Sequence, residues 1–121
     1  DNNGRQQAKN IGKFFRENKI RIDEVLSSEW CRCKETANIA FKNFSTKSFL
    51  NSFYSSKFKK NKGKQIKELN NYVKKFKSNK NLVFVTHYVL ISEVLNYGPS
   101  SGEIIVSDKN FNIVGTLEID Y

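Results

Sequence analysis

The chain has 121 residues, 38% of them apolar, with ten Phe and five Tyr, and carries 21 Lys and Arg against 12 Asp and Glu for a net charge of +9. That length allows one domain around one core, and the aromatic content argues against a chain disordered throughout. The longest apolar run, Leu82 to Val85, has the length of a strand, far below the roughly 20 apolar residues of a membrane span.

The charge is concentrated. Between Lys42 and Lys80 stand twelve Lys and one acid, Glu68, so this segment is strongly basic while the remainder is slightly acidic. Such a block attracts anionic ligands, but without aromatic residues in a recognisable nucleic-acid module it reads first as a solvated lysine-rich surface. Two cysteines, Cys31 and Cys33, stand one residue apart, too close for an ordinary disulfide. With His87 the only histidine, no tetrahedral zinc set can be assembled, and no cofactor is implied. The cysteines fit a cytoplasmic or a periplasmic setting equally.

In chain order, Ala8, Ile11, Phe14 and Phe15 recur at helical spacing and predict a helix over Arg5 to Asn18. Asp23 to Ser28, with Val25 and Leu26, reads as a short strand. Trp30 to Phe44 reads as a second helix, with Ser27 or Ser28 the expected N-cap. From Ser45 to Lys64 no period survives, which predicts a long Lys-rich loop with one helical turn around Phe49 to Phe53. Ile66, Leu69, Tyr72, Val73 and Phe76 mark an amphipathic helix. Leu82 to Thr86 is apolar on both faces, the pattern of a parallel strand covered on both sides. Tyr88 to Asn96 is expected as a helix, the 98–102 segment as a loop, Glu103 to Val106 as a strand, and the alternation of Ile113, Gly115, Leu117 and Ile119 as a last strand. This order predicts an α/β fold, a three-layer α/β/α sandwich with a mostly parallel sheet, in one domain spanning 1–121.

Ligands of open α/β sheets bind beyond the C-terminal strand ends. Two polar groups fall there. One is Ser27-Ser28 leading to Arg32 in the first turn of the next helix; the other is Thr86-His87 before the helix that follows the apolar strand. Both positions favour an anion at a helix N-terminus. A guanidinium adds a planar fork matched to phosphate oxygens, and an imidazole adds a donor near neutral pH. Taken singly, His87 also reads as a half-buried capping residue and Arg32 as an exposed charge paired to Glu29 or Glu35.

Several motifs raise the functional reading. Ser28-Glu29-Trp30-Cys31-Arg32-Cys33-Lys34-Glu35-Thr36-Ala37 resembles the Ser-x-x-x-Arg-x-x-x-Thr-Ala element of the histidine phosphatase (phosphoglycerate mutase-like) family. Gly4-Arg5-Gln6-Gln7-Ala8 resembles the family's helix start upstream, and the stretch from Asn81 to His87 resembles its strand ending in the second active-site histidine. Gly98 to Val106 resembles its closing loop and strand, and the wording is nearest to small bacterial members.

The resemblance implies a metal-independent phosphohydrolase acting on a phosphomonoester or a phosphohistidine through a phosphohistidine intermediate. Arg32 and His87 would hold the phosphoryl group, and Glu103, at the mouth of the closing loop, is the candidate acid for the leaving oxygen. Partners would be a phosphorylated small molecule or a phosphoprotein rather than a nucleic acid. The family's nucleophile belongs to an Arg-His-Gly motif on a first strand, and no such motif occurs in these residues. A chain beginning Asp1-Asn2-Asn3 without Met is therefore expected to be an N-terminally incomplete domain, inactive as it stands. Its Leu82–Val85 strand, beside which the family places that first strand, should then have an unpaired edge. The alternatives are a non-catalytic binder of phosphorylated ligands and a basic polyanion-binding module.

Overall fold

The computed structural model describes residues 1–121. Helix α1, Asn2–Glu17, starts where the Asp1 carboxylate accepts from the Gly4 N–H at 2.6 Å. Strand β1 is Ile22–Ser27, helix α2 Cys31–Phe41, and strand β2 only Ser45–Thr46. Two 3-10 turns, Ser48–Leu50 and Lys59–Asn61, lead to helix α3, Lys62–Lys75. Strand β3, Asn81–Val85, helix α4, Tyr88–Leu95, and strands β4, Glu103–Ser107, and β5, Ile113–Glu118, complete the chain.

The main sheet is parallel, in the order β2-β1-β3, and helices flank it. β1 is its centre, and its C-terminal half is buried on both faces. Val25 turns toward α1 and α2, while Leu26 joins Phe49, Leu50, Phe53, Leu69, Val73 and Leu90 in the principal core. β3 pairs only with β1, so its other backbone edge is unpaired, as the family pattern led us to expect. β4 and β5 form a separate antiparallel hairpin. Gln7 ties that hairpin to α1 by donating its amide to the carbonyls of Ile119 at 2.8 Å and Ser101 at 3.3 Å. The Gln7 side chain lies where a Cβ on Gly102 would stand, and Gly102 has φ +78°, so glycine is required on both counts.

Small residues bring α1 and α2 together. Ala8 and Gly12 on one helix face Cys33, Ala37 and Ala40 on the other, all buried, and the Ala40 carbonyl occupies the space a Cβ on Gly12 would need. The second helix departs from the expected bounds at both ends. Its N-cap is Trp30, whose side chain makes no capping bond, rather than Ser27 or Ser28. The Ser28 hydroxyl accepts the Trp30 N–H at 3.1 Å in a local turn instead. At the other end Lys42, at φ 67° and ψ −58°, closes a γ-turn in which the Asn43 N–H donates to the Phe41 carbonyl at 2.8 Å. Phe44 therefore falls outside the helix.

The aperiodic 45–64 stretch is more structured than its pattern suggested. It supplies a sheet strand and three residues of the core, Phe49, Leu50 and Phe53. The Gln65 side chain, buried at the start of α3, donates to the carbonyls of Phe49 at 3.2 Å and Asn51 at 2.8 Å and so anchors the irregular backbone.

Candidate functional site

The site follows from the pairing of β1 and β3. Their register sets Ser27 opposite Val85, and the Ser28 N–H continues the ladder to the Val85 carbonyl at 2.9 Å. The two strands thus end side by side, and Ser28 and His87, one and two residues beyond them, meet: His87 Nε2 lies 2.8 Å from Ser28 Oγ. The segment after β2 covers this end. Lys47 N–H donates to the Ser27 carbonyl at 2.9 Å, and Thr86 Oγ1 donates to the Leu50 carbonyl at 2.6 Å.

Hydrogen-bond logic fixes the proton positions. The Glu29 backbone N–H can only donate, and it meets Asn51 at 2.8 Å, so that atom is the amide oxygen. The Asn51 amide nitrogen then faces Glu29 Oε1 at 2.9 Å, which agrees. Ser28 Oγ, 3.0 Å from the same Asn51 oxygen, must donate its single proton there. Having spent that proton, Ser28 Oγ accepts from both Trp30 N–H and His87, so neutral His87 carries its proton on Nε2. The Trp30 ring stands edge-on to the imidazole with centroids 5.0 Å apart, and the Cys33 sulfur lies 3.6 Å from Nε2.

Burial, and secondarily the Arg32 guanidinium, push the His87 pKa below its ordinary value, so the ring is neutral at pH 7. Burial raises the Cys33 thiol, against the opposing pull of the Ser28 hydrogen bond and of Arg32, which keeps it a thiol. Arg32 is exposed in the first turn of α2. The two acids that could have neutralised it are engaged elsewhere: Glu35 binds Arg5 Nε at 2.8 Å, and Glu29 accepts from Asn51. None of the four ion pairs of the chain includes Arg32. A guanidinium outside any ion pair, a helix N-terminus and an imidazole thus share one end of the sheet, an arrangement suited to a tetrahedral oxyanion.

The charge of Arg32 reaches His87, while Glu103 makes its hydrogen bonds elsewhere. That carboxylate, at the start of β4, accepts from Tyr97 Oη at 2.6 Å and the Ser100 N–H at 2.8 Å. These bonds hold its pKa below the usual carboxylate range, which favours the ionised form, whereas an acid for a leaving group starts protonated. No group of three or more His, Cys, Asp and Glu side chains is placed to hold a metal ion. A cavity of about 660 Å³ opens among Gly12, Phe15, Ile22 and Phe41 at the opposite end of β1, away from these groups. Motif spacing does not show Trp30 and Cys33 as neighbours of His87, nor Asn51 as the partner of Ser28. Trp30 and Cys33 fill variable positions of the quoted element, and Asn51 sits in the aperiodic stretch, where nothing in the pattern marks it.

The chain is an α/β domain with Ser28, Arg32 and His87 beyond the C-terminal ends of adjacent parallel strands. Residues 1–52, which include Ser28 and Arg32, match the family model of the histidine phosphatase superfamily (branch 1). Among solved structures, that of the product of open reading frame Rv3214 from Mycobacterium tuberculosis is similar, at TM-score 0.53 and 14% sequence identity over 78% of this chain. The chain spans 65% of the length of that structure. No curated protein sequence matches. The chain thus shares its α/β fold with that structure, and its first 52 residues resemble the histidine phosphatase superfamily.

Proposed function

We propose that this domain binds the phosphoryl group of a phosphomonoester or a phosphohistidine between Arg32 and His87. The observation that carries the reading is the unneutralised Arg32 guanidinium, whose charge His87 senses while both neighbouring acids are engaged elsewhere. Arg32 contributes the fixed charge and a bidentate fork. His87 contributes a donor that strengthens once a dianion arrives, because the anion raises the pKa that burial and Arg32 depress. Ser28 and Asn51 orient the imidazole through the hydrogen-bond chain described above. His87 is the only histidine and its Nε2–H is directed at Ser28, so we assign it to phosphoryl binding rather than to nucleophilic attack. The 121-residue chain then holds phosphorylated ligands without turnover.

Trp30, the only tryptophan, lies against His87 and reports on occupancy. Titration with phenyl phosphate should change its fluorescence, and Arg32→Ala should weaken binding by about 10- to 100-fold, the equivalent of one or two charge-assisted hydrogen bonds. Unchanged affinity in Arg32→Ala would remove the basis of the assignment. Vigorous hydrolysis abolished by His87→Ala would make His87 the nucleophile and overturn its role as a donor.

A further inference from the structure

We infer that the site selects an extended phosphopeptide bearing acidic residues a few positions from the phosphorylated one, through an aromatic–lysine track that leads away from His87. The inference rests on the phosphate reading above and names its substrate class. The track is continuous. Trp30 contacts His87 edge-on at 5.0 Å, Phe58 contacts Trp30 at 5.8 Å, and the Lys57 ammonium lies 5.4 Å from the centre of the Phe58 ring. Lys59 and Lys60 follow directly in the 3-10 turn and are exposed. Ion pairing in this neighbourhood goes to other lysines: Lys62 holds Glu93 at 2.6 Å, and Lys64 reaches Glu68 at 4.0 Å. Lys57, Lys59 and Lys60 therefore present three positive charges with no acidic partner, at the end of a path that begins at the phosphate position.

The length and shape of that path discriminate between ligands. A chain laid along it needs on the order of three to five extended residues at about 3.3 Å each, so a compact sugar phosphate fills the first station only. The ring faces favour a peptide over a nucleic acid. Trp30 meets both His87 and Phe58 edge to face, and the Phe58 face is covered by its neighbouring lysine. Neither ring is a free platform for a stacked base. Three mobile ammonium groups suit carboxylates spaced along a peptide, and each added acid lowers the dissociation constant most at low salt.

Three labelled probes test this with the whole chain: a phosphoserine decapeptide with three Glu residues two to four positions away, the same peptide with Ala at those positions, and a 5′-phosphorylated oligothymidine. The acidic phosphopeptide should bind roughly tenfold tighter than its Ala counterpart at low salt, an advantage that fades near 0.5 M NaCl. A triple Lys57→Ala, Lys59→Ala, Lys60→Ala variant should erase that advantage yet keep wild-type affinity for phenyl phosphate and the wild-type melting temperature. Equal binding of the two peptides, an advantage that survives in the triple variant, or tightest binding of the oligonucleotide would each overturn the inference. An unphosphorylated acidic peptide separates the two readings. If it binds through the three lysines while phenyl phosphate does not bind at all, the phosphate site fails and the track stands as an acidic-peptide surface, not a substrate selector.

Discussion

The two regions that meet at His87 are built on different rules. The first, α1 through α2 with β3, is regular: its strands pair in register from Glu24 to Ser27, its helices pack through Gly12, Ala37 and Ala40, and its motifs place Ser28, Arg32 and His87 by backbone geometry alone. The second, residues 45–64, has one two-residue strand and two single turns, yet contributes Phe49, Leu50 and Phe53 to the core and Asn51 to the hydrogen-bond chain that fixes His87. A regular scaffold positions the charged groups, and an irregular segment sets the protonation and outlook of the imidazole. Changes in ligand preference are therefore expected to reside in the irregular segment, where a change of side chain leaves the sheet register untouched.

The sharpest way to break the comparison is to treat 45–64 as the surface loop its pattern suggests. Leu50 is wholly buried in the core, and Tyr54, four residues on, is 79% exposed. Leu50→Ala should cost about 2–5 kcal/mol, a large part of the stability of a domain this size, whereas Tyr54→Ala should stay within about 0.5 kcal/mol. Urea unfolding of both variants decides the point. Equal small effects would show the segment to be peripheral after all.

A change in the regular half should cost less but travel further. Gly12→Ala sets a methyl against the Ala40 carbonyl, so α1 and α2 must separate slightly, at about 1–3 kcal/mol. α2 carries Arg32, so phenyl phosphate binding should weaken along with thermal stability. Loss of stability with phosphate affinity intact would show that the helix pair does not position the guanidinium.

How much of this was legible follows the same division. The helices and strands with a clean period, and the ends of β1 and β3 where Arg32 and His87 stand, could be read from side-chain spacing, because regular backbone repeats its burial pattern. The core role of Phe49, Leu50 and Phe53 could not, since 3-10 turns and extended links impose no repeat and the buried residues lie among Lys and Ser. The N-cap was misplaced because a serine hydroxyl next to a helix start serves a turn as readily as a cap. Glu103 was chosen for its position beside a loop. Its hydrogen bonds to Tyr97 and the Ser100 backbone are tertiary facts that no spacing carries.

A pH experiment joins the halves through His87. Its native pKa lies below the unfolded value near 6.5, with burial the larger cause and Arg32 the smaller. Between those two values the unfolded chain binds more protons than the native one, so stability is intact above about pH 6.5 and declines as pH falls toward the native pKa. His87→Gln should flatten that slope, read as melting temperature from pH 7.5 to 5. Saturating phenyl phosphate should also flatten it in the wild type, because the dianion lifts the native pKa back toward the unfolded one. A slope indifferent to both changes would place the titration elsewhere.

The smallest effect belongs to the junction between the halves. Lys42 ends α2 with φ 67° and ψ −58°, the centre of a γ-turn that side chains other than glycine adopt only under strain of about 1–3 kcal/mol. Lys42→Gly relieves that strain but gives the unfolded chain more freedom, worth about 0.4–1 kcal/mol in the opposite direction. The net should be a gain of about 0.5–1 kcal/mol, one to a few degrees in melting temperature, with phenyl phosphate affinity unchanged because Lys42 lies ten residues beyond Arg32 at the far end of the helix. Lys42→Ala serves as the comparison, since it removes the same charge and keeps the strain. If Ala stabilises as much as Gly, the effect is charge relief in the basic segment. If only Gly does, the turn that hands the chain from its regular to its irregular half is held by the surrounding packing against the preference of its own backbone.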